Sequence, residues 1–180
     1  MRGLERAVGL VARFAGGLGA VLTLLCVALV GYAVGMRYLL GQPEPWTDKV
    51  AGWLVVGVVM LAAPEAQRRF EHIGVDIARD RLGPRLVRVA HLIGTLSVAV
   101  VAGVLLHAGI ETVAFSRMVG MMTDLEGIPA WWVQALLPVG AALLLLVASA
   151  QTLLLLLGRE PEYLPDSSES VPRDPLARAE

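Results

Sequence analysis

Long apolar runs alternate with short polar segments along this chain. The apolar runs cover about residues 14–36, 46–67, 87–110 and 128–157. A helix of about 20 residues crosses a hydrocarbon core of about 30 Å, so each run is long enough to span a membrane. The fourth run exceeds that length, and Pro138 within it offers a bend. The pattern predicts an all-α membrane protein with four transmembrane helices, forming one domain over residues 1–157.

The polar segment between the second and third runs has a helical pattern of its own. Val75, Ala78 and Leu82 recur at helical spacing, whereas Asp76 falls on another side. This arrangement predicts a short amphipathic helix lying in the membrane interface. Residues 158–180 are rich in proline, serine and charge, and they predict a disordered tail.

The first run is too long for a cleavable signal peptide, whose apolar part has about 7–15 residues. We therefore expect residues 14–36 to be retained as the first span. Gly31 and Gly35 form a pair of small residues that would let another helix approach, unless they only reflect how common glycine is in membrane helices. Cys26 is the single cysteine, and we expect it to pack as a small hydrophobic side chain.

The composition excludes several classes of function. Hydrophobic residues make up 56% of the chain and charged residues 17%, whereas soluble domains carry about 25% charged residues. The net charge of -1 provides no basic surface for nucleic acid. The sequence has no glycine-rich phosphate loop, zinc-ligand spacing or nucleophile with a suitable base, so we expect no enzyme activity.

Basic residues indicate the orientation of the chain in the membrane. Twelve of the fifteen Lys and Arg residues lie in the N-terminal segment, in the segment between the second and third runs, or in the C-terminal segment. The positive-inside rule predicts that these segments, and hence both termini, are cytoplasmic. The tryptophans fall near the opposite ends of their runs, where such rings favour the interface. They are Trp46, Trp53, Trp131 and Trp132.

The third run contains two candidate cofactor ligands, His91 and His107. They are sixteen residues apart, which places them on opposite faces of one helix and about 24 Å apart along its axis. Haem can be held by axial histidine or methionine ligands, but no other span offers a histidine. A haem-binding or plain membrane anchor of a respiratory complex stays open as an alternative, as does a packing role for both side chains.

Charged residues inside a span usually mark an ion or substrate path. Asp48, Lys49, Glu65 and Glu111 all fall near the ends of the runs, and we expect no charge at the centre of a span. The pattern therefore favours a subunit that packs beside a transporter over one that moves a solute alone.

Short motifs around the second and fourth runs carry a family resemblance. Trp46 and Asp48 open the second run, the pattern Arg-Arg-x-x-His-Ile-x-Val-Asp follows it, and Ile-Pro and Leu-Pro-Val-Gly lie in the fourth run. In this order the chain resembles the small membrane subunit of tripartite ATP-independent periplasmic (TRAP) transporters. It departs from the family pattern at Lys49, where a second acid is common, and at Phe70-Glu71, where a glycine often precedes the His-Ile pair. The matching residues, expected to be structural or to lie at subunit or lipid interfaces, are Trp46, Asp48, Arg68, Arg69, His72, Asp76, Pro129, Pro138 and Gly140.

The resemblance implies a role and a set of partners. In this family a large membrane subunit imports a solute, commonly carboxylate-bearing, with a sodium gradient, and a periplasmic binding protein delivers the solute. The small subunit packs as a scaffold on the large one in the bacterial inner membrane, with both termini cytoplasmic. The substrate and sodium sites belong to the large subunit, so we expect no catalytic, cofactor or metal site here. Glu44, Asp124 and Glu126 lie in the outward segments and are candidate contacts for the binding protein.

Overall fold

The computed structural model describes residues 2–69 and 84–157 of the chain, and the side chains of 7–69 and 86–157. The described residues form helices α1 (Arg2–Leu39), α2 (Pro45–Arg68), α3 (Pro84–Val119), α4 (Ala130–Gln134) and α5 (Leu136–Leu156). Four segments are long and apolar enough to cross a membrane, which confirms the predicted all-α class with four spans. The predicted interfacial helix, with His72 and Asp76, and the predicted tail lie outside the described residues.

Helix α3 is longer than the third apolar run. It continues past residue 110 to Val119, because no glycine or proline interrupts the chain before Gly120. Gly120 has a φ of 66°, and the N–H of Met121 reaches back to the carbonyl of Ser116 at 3.0 Å. This is the geometry of a glycine-terminated helix. Glu111 therefore lies inside α3, and the expectation that it marks the end of a span is wrong.

The fourth apolar run is interrupted at Ala135, which separates α4 from α5. Pro138 explains the position of this interruption. Proline has no N–H to bond the carbonyl four residues earlier, that of Gln134, and its ring crowds that carbonyl. The bend offered by Pro138 thus appears one turn before the proline itself.

The helices pack in the order α1, α2, α5, α3, with α2 and α5 in the middle. Helix α1 also touches α5 at the start of α1, where Val8 and Ala12 pack against Val147. Within the described residues, α3 makes at most marginal contact with α1 or α2. The four spans therefore form an open row, and much of the apolar surface of α1 and α3 faces outward.

Glycine allows the closest approaches between these helices. A Cβ atom placed on Gly140 would lie 2.7 Å from the carbonyl oxygen of Met60, and one on Gly109 would lie 3.0 Å from the ring of Pro138. Neither position has room for a side chain. Gly31 and Gly35 differ, because a Cβ atom at either would meet nothing within 4 Å. That pair forms no helix crossing within the described part of this chain.

Candidate functional site

A buried ion-pair cluster lies at the C-terminal end of α2. Arg68 donates from Nε and Nη2 to the two carboxylate oxygens of Glu65, at 2.6 Å and 2.5 Å. Arg69 donates from Nε to the same carboxylate at 2.8 Å. The side chains of Arg68 and Glu65 are only 9% and 13% exposed, whereas Arg69 is 55% exposed. Because two-point Arg–carboxylate bonds fix geometry, these bonds hold the side chains of the cluster in place along the last turn of α2.

The two arginines thus have different surroundings, although both were expected to be structural or to lie at subunit or lipid interfaces. Arg68 is buried against Glu65, and Arg69 is the exposed member of the pair. Arg69 borders a cleft of about 450 Å³ between α1 and α2, which is also lined by Arg13, Gly16 and Glu65. Of the two, Arg69 has the exposure that contact with a lipid headgroup requires.

A buried pair of glutamines joins α2 to α5 beside this cluster. Gln67 donates from Nε2 to the side-chain oxygen of Gln151 at 2.8 Å. Gln151 in turn donates from Nε2 to the backbone carbonyls of Gln67 and Arg68, at 3.0 Å and 3.2 Å. The last carbonyls of a helix have no partner within the helix, so Gln151 satisfies the end of α2 from a neighbouring helix.

The sequence reasoning missed this glutamine pair and the cluster on Glu65. A signal for both was present, because Gln67, Gln151 and Glu65 interrupt otherwise apolar runs. A polar side chain in such a run commonly bonds across to another helix. The pairing itself depends on which helices are neighbours, and the sequence alone does not give that.

At the opposite end of the row, α2 begins with polar and aromatic contacts. Glu44 is the N-cap residue, and its carboxylate accepts a hydrogen bond from the indole of Trp46 at 2.5 Å. The Trp46 ring also lies 6.4 Å from that of Tyr32, centroid to centroid, which ties α2 to α1. Asp48 lies in the first turn of α2 and forms an exposed ion pair with Arg37 at 3.5 Å.

The segment between α3 and α4 folds back on itself as a small hairpin. Met122 and Pro129 form an isolated antiparallel bridge, and the Thr123 hydroxyl bonds the carbonyl of Ile128 at 3.0 Å. Asp124 reaches across to Lys49 of α2 at 3.0 Å, and Glu126 is exposed. Of the three candidate docking residues, Glu44 and Asp124 therefore already hold contacts within this chain.

Aromatic residues pack against one another at the same end of the row. The guanidinium of Arg117 lies 5.0 Å from the ring centroid of Trp131, within the range of a cation–π contact. Trp131 and Trp132 meet edge to face at 5.8 Å. Pro129 caps α4 in an extended conformation just before these rings. Pro138 and Gly140 lie deeper in the row, at the contacts with Gly109 and Met60 described above.

The two histidines differ sharply in their surroundings. His91 is 7% exposed. The side chain of His107 is 79% exposed, and its Nε2 lies 3.4 Å from the Glu111 carboxylate, itself 69% exposed. Within residues 2–69 and 84–157, no group of three or more His, Cys, Asp or Glu side chains is arranged to hold a metal ion.

His107 and Glu111 lie near the middle of the row. They flank Gly109, which contacts Pro138. On either side of Pro138 along α5, Leu136 lies beside Gly57 and Gly140 lies against Met60. Both Gly57 and Met60 are in the middle of α2, so Pro138 and Gly109 are level with the middle of that helix. The expectation that Glu111 falls near the end of a span is therefore wrong, and His107 lies at a similar depth.

Comparison with known proteins gives one family and two relatives. A family model described as "Tripartite ATP-independent periplasmic transporters, DctQ component" matches residues 7–158. The sialic acid TRAP transporter permease protein SiaT of Haemophilus influenzae is 29% identical over 145 residues, which cover 78% of this chain and 23% of that protein. The sialic acid TRAP transporter small permease protein SiaQ of Vibrio cholerae is 26% identical over 116 residues, covering 63% of this chain and 65% of that protein. The match thus spans less than a quarter of the first relative and just under two thirds of the second.

Proposed function

The chain belongs to the DctQ component family of tripartite ATP-independent periplasmic transporters, and from this premise we propose that it is the scaffold on which a large permease subunit works. The family is one of transporter subunits and not of enzymes. The interpretation as a small permease subunit therefore replaces the alternative of a membrane anchor of a respiratory complex.

The open row of helices is the observation that carries the scaffold role. The buried Gln67–Gln151 pair bonds α2 to α5, and Glu65 and Arg68 bond each other within α2, so these polar groups have partners inside the chain. Among the residues that the structure describes, the ionisable pair at mid-height, His107 and Glu111, lies on the outer surface of α3 rather than between helices. A solute path needs groups that face a shared interior. The arrangement therefore favours a chain that supports a partner.

The proposed assembly includes chains that carry the transport chemistry. We propose that the large subunit binds sodium and the solute, and that a periplasmic binding protein delivers that solute. The names of two relatives refer to sialic acid, an acidic sugar, which supports a carboxylate-bearing solute. This chain would then hold no cofactor of its own, and its sequence does not specify the solute.

We further propose that the chain lies in the bacterial inner membrane with both termini in the cytoplasm. Arg13, Arg68 and Arg69 lie at one end of the row, and Trp46 and Trp131 lie at the other. The positive-inside rule and the interfacial preference of tryptophan support the same orientation. The hairpin between α3 and α4 would then face the periplasm.

Reconstitution tests the scaffold role. The tagged chain, expressed together with its large subunit, should recover that subunit in detergent. Liposomes containing both, with the binding protein added, should take up labelled sialic acid or succinate when a sodium gradient is imposed. Liposomes with this chain alone should take up neither. Uptake by the chain alone would refute the scaffold role, and failure to recover the large subunit would refute the assignment as its partner.

Docking of the binding protein is tested best at Glu126. Reversal of Asp124 also breaks its ion pair with Lys49, whereas Glu126 is exposed at the tip of the hairpin. The change Glu126→Lys should raise the binding-protein concentration needed for half-maximal uptake by about threefold, because exposed charges act mainly on docking rate. The maximal rate should stay the same, and added salt should reduce the difference. Superimposable titration curves at low salt would exclude a docking role for Glu126.

A further inference from the structure

One continuous face of α3 is uncovered in this chain. Ile93, Leu96, Val100 and Val104 follow one another at helical spacing and are 60%, 51%, 60% and 64% exposed. His107 and Glu111 continue the same face, because they lie three and seven residues beyond Val104. An apolar stripe on a membrane helix suits lipid, but the last two residues do not.

The depth of His107 and Glu111 makes contact with lipid costly. Both are within about 3 Å along the helix axis of Gly109, which is level with the middle of α2. Their polar atoms would therefore lie in hydrocarbon if nothing covered α3. Ionisable residues at this depth almost always face other protein or a water-filled cavity.

Helix α1 forms the other edge of the row and provides a contrast. Its residues from Phe14 to Met36 include no Asp, Glu, Lys, Arg or His. Leu24 is 71% exposed and lies close to Leu22, which contacts Gly57 in the middle of α2. The face of α1 is thus apolar at the depth where the face of α3 is polar.

We propose that the face of α3 from Ile93 to Glu111 is the surface that binds the large permease subunit. The occupant is a membrane helix of that subunit with a hydrogen-bond donor or cation opposite Glu111 and His107. This edge of the row would be covered by protein, whereas the α1 edge would face lipid. The inference rests on the proposed function and adds which edge and which residues form the contact.

Site-specific photo-crosslinking tests the surface in the co-expressed complex. A benzophenone amino acid replaces Val104 in one variant and Leu24 in another, two exposed positions on opposite edges of the row. We expect a crosslinked product of small plus large subunit from position 104 and none from position 24. A product from position 24 alone, a product with the mass of two small subunits, or no product from position 104 would overturn the inference. Failure to recover the large subunit with the unmodified chain would instead overturn the proposed function, and the inference with it.

Removal of the polar pair provides a second test. The double variant His107→Leu and Glu111→Leu should fold in isolation with an unchanged or higher melting temperature, because both side chains are exposed in this chain. Recovery of the large subunit should fall by about threefold to tenfold, the range expected from interhelical hydrogen bonds in membranes. Ser149→Leu introduces the same side chain at an exposed position of α5 and should leave recovery unchanged. Full recovery with the double variant would overturn the contact role of the pair.

Discussion

A single buried side chain, that of Gln151, joins α2 to α5 at the arginine-rich end of this subunit. Gln151 serves three groups at once, since its amide nitrogen donates to two carbonyls at the end of α2 and its oxygen accepts from Gln67. It is 5% exposed, so no water can easily replace it. In an apolar setting, leaving a buried carbonyl without a hydrogen-bond donor costs more free energy than the bond itself contributes.

The change Gln151→Leu should therefore destabilise the isolated chain by about 1–2 kcal/mol. The expected result is a lower melting temperature in detergent, measured by loss of helical circular dichroism. Ser149→Ala is the matched control, because Ser149 lies on the same helix, is exposed and bonds only its own backbone at 3.1 Å. Equal melting temperatures for Gln151→Leu and Ser149→Ala would contradict the role given to Gln151.

At the scale of elements, close contact between α2 and α5 depends on Gly140. The two helices form the middle of the row, and a Cβ atom placed on Gly140 would lie 2.9 Å from the Cα atom of Met60. Gly31 lies on α1 with open space around it, although it is also a helical glycine in an apolar run. Gly140 and Gly31 therefore allow a direct comparison between a glycine at a helix contact and a glycine with open space around it.

We expect Gly140→Ala to lower the stability of the chain by about 1–3 kcal/mol, because its Cβ atom would push the two helices apart. Gly31→Ala should leave stability unchanged or raise it by up to about 1 kcal/mol, because alanine favours helix. Thermal unfolding of both variants in the same detergent gives the comparison. Similar losses for the two variants would mean that the Gly140 crossing is looser than the structure indicates.

The sequence predicts the spans better than it predicts their contacts. Apolar runs longer than 20 residues determine four helices, and the structure has them. The end of α3 was missed, because residues 111–119 are mixed in polarity and only Gly120 stops the helix. The partners of Glu65, Gln67 and Gln151 were missed, because the row places α2 beside α5 and that order depends on packing between distant segments.

At the scale of the whole molecule, the row separates two unlike ends. Glu65 and its arginines hold one end, and Trp46, Trp131 and the hairpin form the other. The motif residues Trp46, Asp48, Pro129, Pro138 and Gly140 all make contacts within the chain that stabilise helix ends or crossings. A structural role for this motif set stays a prediction.

Thiol labelling should report the orientation of these ends. In a Cys26→Ala background, Gln42→Cys and Glu126→Cys should react with an impermeant maleimide in intact spheroplasts. Ala7→Cys, which is exposed at the opposite end, should react only after the membrane is opened. The positive-inside rule gives the physical reason. Labelling of Ala7→Cys alone in intact spheroplasts would reverse the proposed orientation.

The unequal lengths of the helices have a consequence for the surrounding bilayer. Helices α1 and α3 are longer than α2, with 33 residues in Ala7–Leu39 and 34 in Leu86–Val119 against 24 in α2. At about 1.5 Å per residue, the two edge helices are about 50 Å long, well beyond a hydrocarbon core of about 30 Å. The apolar part of α1, between Arg13 and Arg37, has 23 residues, so the excess length lies in the charged ends of the helix. These ends should therefore project beyond the hydrocarbon core into the headgroups and water.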